Sequence, residues 1–259
     1  MMLRFNKKNI VIFALLSLNF FTMLFISWRK WADIWIDYGR EPYTAWLLSM
    51  GKPLYVAVDC LYGPLAHYIN AAVFMLVGPG LIFLSCWNIL LLVVFSVVVY
   101  RFFCHYADSL VAALCVCCFY SVFAFSQYTF MGSLNFVCPY THSMTYGVML
   151  AVSCCFSLCY YFETNQTKFL LLAGFLCGLV FLTKAEAFVA AFGASILTFC
   201  IVIMRDWKRG PCPSQHTIPY HLLVFVLAAL APVLIAVLLM GIQMPFGTAV
   251  NGVFSSMRC

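Results

Sequence analysis

Long stretches without a charged side chain dominate this chain. Residues 9–28, 60–100 and 109–162 contain no Asp, Glu, Lys or Arg. A helix needs roughly 20 apolar residues to cross about 30 Å of hydrocarbon. The runs are continuous rather than alternating, so they favour helices over barrel strands. The pattern therefore predicts an all-α fold, a polytopic membrane protein of seven or eight transmembrane helices.

Polar and turn-forming residues divide these runs into separate helices. Gly78, Pro79 and Gly80 interrupt the second run, and such residues mark turns. The polar and aromatic stretch 126–143 interrupts the third run. The predicted spans cover residues 9–28, 65–77, 81–100, 109–125, 142–162, 168–183 and 187–204, with a last span within 220–243. We expect one membrane domain over residues 1–259, with an outer loop at 29–64, core spans at 65–204 and a basic loop at 205–219.

The outer loop contains a predicted short helix at Pro42–Met50. Pro42 suits the first helical position, Gly51 suits the C-terminal cap, and Pro53 prevents continuation. Trp46 and its apolar neighbours favour a position at the membrane surface.

Basic residues give the predicted orientation. Residues 4–8 contain one Arg and two Lys, which places the N-terminus in the cytoplasm of a plasma (inner) membrane and the 29–64 loop outside. A cleaved signal peptide is the alternative for the first span, but its apolar core should be only about 7–15 residues long. The basic 205–209 segment should also be cytoplasmic, yet simple alternation places it outside. A half-span at 65–77 or at 126–141 would remove this conflict.

Composition agrees with a membrane setting and excludes several classes. The chain is 65% hydrophobic and 8% charged, whereas soluble domains carry about 25% charged residues. No basic stripe with interleaved aromatics predicts a nucleic-acid partner. Most of the 14 cysteines lie in apolar runs, where they act as small hydrophobic residues. The sequence predicts no metal, no cofactor and no disulfide framework.

Charge is concentrated in the outer loop. Eight of the 22 charged residues lie between Arg29 and Asp59. In the D-Y-G-R-E motif, Asp37 is the candidate general base that takes a proton from an acceptor. Arg40 offers a planar fork for a phosphate. Asp59 is a second carboxylate that could bind the acceptor or share proton transfer, and Glu41 is a candidate substrate-binding residue. The alternative is a solvated loop with local ion pairs, in which Asp59 only begins a helix.

Two further motifs place polar groups between apolar segments. The T-K-A-E motif carries Lys184, a candidate ligand for a lipid phosphate, and Glu186. Ionisable groups near membrane depth are functional candidates, although Lys184 and Glu186 could simply pair with each other. The N-F-V-C-P-Y-T-H motif at 135–142 is a candidate sugar or phosphate site that includes His142. Its alternative is a structural re-entrant turn.

Together these motifs resemble the integral-membrane GT-C glycosyltransferases. The resemblance covers residues 9–205 and is closest to the dolichyl-phosphate-mannose protein mannosyltransferases and the aminoarabinose transferases. It implies an inverting enzyme with a polyprenyl-phosphate-linked sugar donor, an extracytoplasmic active site and a catalytic Asp at the position of Asp37. Arg40 and Lys184 would then hold the donor phosphate. The remaining candidate substrate-binding residues are Glu41, Asp59, His142 and Glu186.

Members of that family are usually longer than 259 residues. We therefore expect an incomplete or split enzyme, with a membrane partner subunit that supplies a C-terminal half. The acceptor is not predicted. Two other functions stay open, a non-catalytic membrane subunit and a transporter of a lipid-linked or polar substrate.

Overall fold

A computed structural model describes residues 7–30, 38–58, 60–129, 135–208 and 217–254, without the side chains of 206–208 and 217–218. Within these ranges all regular structure is helical. The helices are α1 (Lys7–Ser27), α2 (Arg40–Ser49), α3 (Leu65–Val77), α4 (Leu81–Tyr106), α5 (Ser109–Phe119), α6 (His142–Thr164), α7 (Thr167–Phe181), α8 (Ala185–Lys208), α9 (Thr217–Gly241) and α10 (Phe246–Val253). A π-helical turn (Tyr120–Ala124) continues α5, and a 3₁₀ turn follows at Ser126–Tyr128.

Helix length and composition confirm a polytopic membrane fold. Among the described residues, five helices are long and apolar enough to cross a membrane, namely α1, α4, α6, α8 and α9. Three shorter apolar helices accompany them at Leu65–Val77, Ser109–Ala124 and Thr167–Phe181. The predicted short helix of the outer loop is also present, as α2.

Glycines end two helices as the sequence predicts. Gly51 follows α2 with φ +80°, and Gly78 follows α3 with φ +90°. Only a residue without a Cβ adopts this left-handed conformation without strain. These two positions therefore set where α2 and the short apolar helix α3 stop.

The chain divides into two compact units, the first of residues 1–43 and 73–141. In this unit the ring of Phe20 on α1 meets Tyr120 and Phe125 edge to face, with both centroids 5.3 Å away. Asn19 donates to the Ser121 hydroxyl at 3.2 Å. Aromatic packing and one polar contact thus hold α1 on the π-helical end of α5.

The second unit contains residues 44–72 and 142–259. Its core is a helical bundle in which α7 lies directly on α9. A Cβ on Gly174 or Gly178 of α7 would overlap the backbone of α9 at Phe225 or Ala229. The two backbones approach this closely because neither glycine has a side chain.

Helix α10 is a feature that the sequence reasoning missed. Its eight residues begin after Pro245, which occupies the N-cap position, and it packs against the end of α9. The Tyr55 ring lies on Gly252, where a Cβ would overlap the ring. A helix this short gives a weak periodic signal, so Pro245 was the one local mark of its start.

Candidate functional site

Two of the predicted acidic residues lie outside the described part of the chain. These are Asp37, the predicted catalytic base, and Asp59. Their roles therefore stay predictions from the sequence.

Tyr38 and Glu41, which follow Asp37 closely, are buried in the first unit rather than lying on a solvated surface. Tyr38 is 0% exposed and Glu41 is 1% exposed, whereas Arg40 is exposed. Thr141 donates its hydroxyl hydrogen to Glu41 Oε1 at 2.8 Å. Burial raises the pKa of the Tyr38 phenol well above its usual range, with smaller effects from Cys138 and Glu41. Tyr38 consequently stays a neutral phenol, and Glu41 is held in place by Thr141.

The Asn135 side chain builds a turn. Its Oδ1 accepts hydrogen bonds from the backbone N–H groups of Val137 and Cys138 at 2.9 and 2.6 Å. Its Nδ2 donates to the Cys138 carbonyl at 2.9 Å. Asn88 Nδ2 on α4 fixes the position of this turn by donating a hydrogen bond to the Val137 carbonyl at 3.0 Å. For the first part of the N-F-V-C-P-Y-T-H motif, this geometry favours a structural turn over a sugar or phosphate site.

His142 begins α6 in the second unit and is fully buried. Its ring meets the Tyr146 ring edge to face, with centroids 5.8 Å apart. Tyr146 donates its hydroxyl hydrogen to Asn70 Oδ1 on α3 at 2.9 Å. His142 therefore belongs to a buried polar group that α3 and α6 form together.

Lys184 lies in the turn between α7 and α8. Its Nζ is 3.2 Å from Glu186 Oε1 and 5.4 Å from the centroid of the Tyr62 ring. The Lys184 side chain is 20% exposed and that of Glu186 is 66% exposed. The local ion pair that the alternative interpretation expects is thus present. Because solvent around the exposed Glu186 carboxylate weakens its attraction to Lys184, another anion can replace it.

The Y-G-P segment is hydrogen-bonded to this turn through the backbone. Gly63 donates its N–H to the Thr183 carbonyl at 2.8 Å, and Leu65 donates to the Leu182 carbonyl at 3.0 Å. A Cβ on Gly63 would overlap the Leu182 carbonyl group. The absence of a side chain at Gly63 therefore allows the contact that places Tyr62 beneath Lys184. Sequence reasoning missed Tyr62 because it lies 122 positions from Lys184.

Helix α6 also contacts the Lys184 turn. Gly147, one residue after Tyr146, faces Thr183, and a Cβ at this position would lie 2.7 Å from Thr183 Oγ1. Thr183 itself is fully buried. The turn that carries Lys184 and the helix that carries His142 are therefore in direct contact within the second unit.

An apolar groove of about 440 Å³ begins beside the Lys184 turn. Leu182 lines it, as do Pro64 and Leu65 of the segment bonded to that turn. The rest of its lining comes from α3, α7, α9 and the residues after α9: Tyr68, Phe175, Leu179, Pro232, Ile235, Ala236, Leu239, Met240, Ile242 and Gln243. No local motif could reveal a groove assembled from segments so far apart in the sequence.

These features define an integral, multi-pass membrane protein with an apolar groove beside the turn that carries Lys184. The family model of the dolichyl-phosphate-mannose-protein mannosyltransferases matches residues 62–235. This match spans about two-thirds of the chain, and the chain belongs to that family of GT-C membrane glycosyltransferases. No curated protein matches the chain, and no solved structure matches it.

The matched region divides the candidate residues into two sets. Tyr62, His142, Lys184 and Glu186 lie within it, and the D-Y-G-R-E motif and Asp59 precede it. The family match also continues to residue 235, beyond the resemblance inferred from motifs over residues 9–205. The apolar groove is therefore built largely from family-matched residues.

Proposed function

We propose that this protein transfers a sugar from a polyprenyl-phosphate donor to an extracytoplasmic acceptor. The observation that carries the proposal is an apolar groove lined by Leu182, in the same turn as Lys184 and inside the family-matched segment. A polyprenyl phosphate matches these two features, because its long apolar chain suits the groove and its anionic head suits Lys184.

Donor binding uses the groove and the cation together. The prenyl chain lies in the groove, whose volume falls within the range of about 300–1,000 Å³ for small-molecule sites. The phosphate binds Lys184 and displaces the exposed Glu186 carboxylate. Tyr62 holds the ammonium group in place in both states through its ring face. Arg40, exposed at the start of α2, is a second proposed phosphate ligand.

Transfer is a single inverting displacement. The acceptor oxygen forms a bond to the anomeric carbon while the bond from that carbon to the phosphate oxygen breaks. The phosphate leaves with the bonding electron pair, and a cation beside it stabilises its charge. Asp37 takes the proton of the acceptor as general base. Glu41, Asp59 and His142 are proposed to line the substrate site.

In the first unit, charges favour a cytoplasmic N-terminus. Lys8 Nζ is 3.9 Å from Asp108 Oδ1, so the start of α1 lies at the same end as the α4–α5 connection. Arg101 and the three basic residues within 4–8 belong to this end, whereas Arg29 and Lys30 lie beyond the other end of α1. This end therefore has more basic residues. By the positive-inside rule α1 runs outward, α4 inward and α5 outward.

In the second unit, basic residues gather where α6 and α8 end and where α7 and α9 begin. Lys168, Arg205 and Lys208 belong to this end, which we place in the cytoplasm. Lys184 then faces outward, as the proposed extracytoplasmic chemistry requires. Alternation along the chain holds if α3 does not cross, and its 13 residues extend only about 20 Å. This proposal removes the conflict over the 205–209 segment.

Replacement of Asp37 tests the proposed base. Asp37→Asn should lower sugar transfer in membranes by about 100-fold or more, because general-base catalysis contributes roughly 10²–10⁴. Asp33→Asn is the matched control, since it removes a carboxylate from the same loop that has no proposed role. The assay uses a panel of polyprenyl-phosphate sugars, with protein abundance measured in parallel.

Three results of this assay differ in meaning. Retained transfer in Asp37→Asn excludes Asp37 as the base. Equal loss in both variants indicates a general effect of loop charge. No transfer by the unsubstituted protein, together with donor binding in a separate nanodisc titration, favours a non-catalytic membrane subunit.

A further inference from the structure

The first two turns of α6 are unusually polar for a helix in an apolar bundle. His142 and Ser143 are 0% exposed, and Tyr146 is 3% exposed. Thr145 is buried as well. Helix α6 therefore presents several hydrogen-bonding side chains to the protein interior at the end that adjoins the Lys184 turn.

Two of the buried polar groups have no hydrogen-bond partner among the described residues. Asn70, fully buried on α3, accepts the Tyr146 hydrogen bond at Oδ1. Asn70 Nδ2 and Ser143 Oγ have no hydrogen-bond partner within the part of the chain that the structure describes. Ser143 precedes Tyr146 by three residues, so both lie on the same face of α6.

Such atoms need a partner from outside the described residues, either a buried water or a ligand. Leaving a buried donor unpaired is costly, and most buried polar atoms in native proteins have partners. The two groups are neutral, an amide N–H donor and a hydroxyl, so they suit the hydroxyl oxygens of a sugar better than a phosphate. The contact of Gly147 with Thr183 joins this part of α6 to the turn that carries Lys184.

We propose that Asn70 Nδ2 and Ser143 Oγ bind hydroxyl groups of the donor sugar, and that Tyr146 positions the Asn70 amide. The identity of the ligand rests on the proposed function. Lys184 binds the phosphate of the donor and the groove binds its prenyl chain, whereas Asn70 and Ser143 bind its sugar. Because both atoms are shielded, side chains around the pair have to move when the sugar binds.

Equilibrium binding tests this assignment without relying on transfer. The purified full chain in nanodiscs is titrated with polyprenyl-phosphate mannose and with polyprenyl phosphate that bears no sugar. We expect the unsubstituted protein to bind the sugar-bearing lipid about ten-fold more tightly, the effect of one or two hydrogen bonds. Asn70→Asp, which keeps the shape and the acceptor for Tyr146, and Ser143→Ala should each reduce this preference several-fold. Their affinity for sugar-free lipid should not change.

Ser195→Ala is the matched control, because Ser195 is a buried serine whose hydroxyl already donates to the Ala191 carbonyl at 2.8 Å. It should retain the full preference.

If Asn70→Asp does not fold, Ser143→Ala and Tyr146→Phe carry the test. An unchanged preference in the folded variants overturns the inference and assigns the two atoms to buried water. Equal binding of both lipids by the unsubstituted protein also overturns it but leaves the proposed donor site intact. Absence of binding by either lipid overturns both proposals.

Discussion

Lys184 makes two different contacts, and they differ in how easily they are exchanged. The Tyr62 ring belongs to a segment fixed by backbone hydrogen bonds to the same turn, so this contact persists. The Glu186 carboxylate is mostly exposed and can rotate into solvent. A cation with a fixed support and a replaceable counterion is suited to bind an incoming phosphate.

Neutralising Lys184 should weaken donor binding. Lys184→Gln should raise the donor dissociation constant by about ten-fold or more, because hydrogen bonds to charged groups contribute about 1.5–3 kcal/mol. Titration with a polyprenyl-phosphate sugar in nanodiscs measures this change. Acceptor affinity, measured separately, should change less.

Glu186→Gln is the control for this substitution. It removes the competing carboxylate and leaves the cation, so donor affinity should stay equal or rise. An unchanged dissociation constant in Lys184→Gln would exclude Lys184 as the phosphate ligand. Weaker binding in Glu186→Gln would instead show that the ion pair organises the turn.

Between elements, glycine sets how closely helices approach. Gly178 on α7 faces both the Ala229 carbonyl and the Pro232 ring of α9. Pro232 has no N–H and leaves one carbonyl of α9 without its helical partner. Both residues also adjoin the apolar groove, since Pro232 lines it and Leu179 follows Gly178.

A methyl group at Gly178 should destabilise the bundle. Gly178→Ala places a Cβ in overlap with the α9 backbone, and overpacking of this kind typically costs about 1–3 kcal/mol. Gly193→Ala is the matched control, because nothing lies within 4 Å of its Cβ position on α8. Alanine there should be neutral or stabilise by up to about 1 kcal/mol. Thermal unfolding in detergent compares the two variants, and equal midpoints would contradict the close packing of α7 on α9.

Helix positions were largely predictable from local signals, and the reasons can be named. The charge-free runs and the glycines at positions 51 and 78 fix α2, α3 and the start of α4 closely. Helix α10 was missed because eight residues carry little periodic signal. The backbone hydrogen bond between Gly63 and Thr183 was also missed, since such bonds between distant segments leave no sequence pattern.

For the whole molecule, the proposed orientation makes a labelling prediction. Cysteine placed at Lys52 or Pro79 should react with a membrane-impermeant maleimide from the outer face. Cysteine at Lys168 should react only from the cytoplasmic face. Pro79 is the decisive position, because it follows α3 and is exposed, and it lies outside only if α3 does not cross.

Right-side-out and inverted vesicles supply the two faces, and the unsubstituted protein supplies the background from its native cysteines. Labelling of Pro79→Cys from the cytoplasmic face would make α3 a full crossing. Labelling of Lys52→Cys and Lys168→Cys from the same face would reject the proposed orientation of the second unit.

The sequence by itself determined that this protein lies in a membrane and where most of its helices begin and end. Both follow from charge-free runs and from glycine or proline breaks, which are local features of the chain. It also located the candidate charges at Asp37 and Lys184. Only the tertiary structure decided that Tyr62 supports Lys184, that Glu41 is buried against Thr141 and that an apolar groove opens beside the Lys184 turn. Each of these depends on residues far apart in the chain, whose proximity arises from packing and leaves no local pattern.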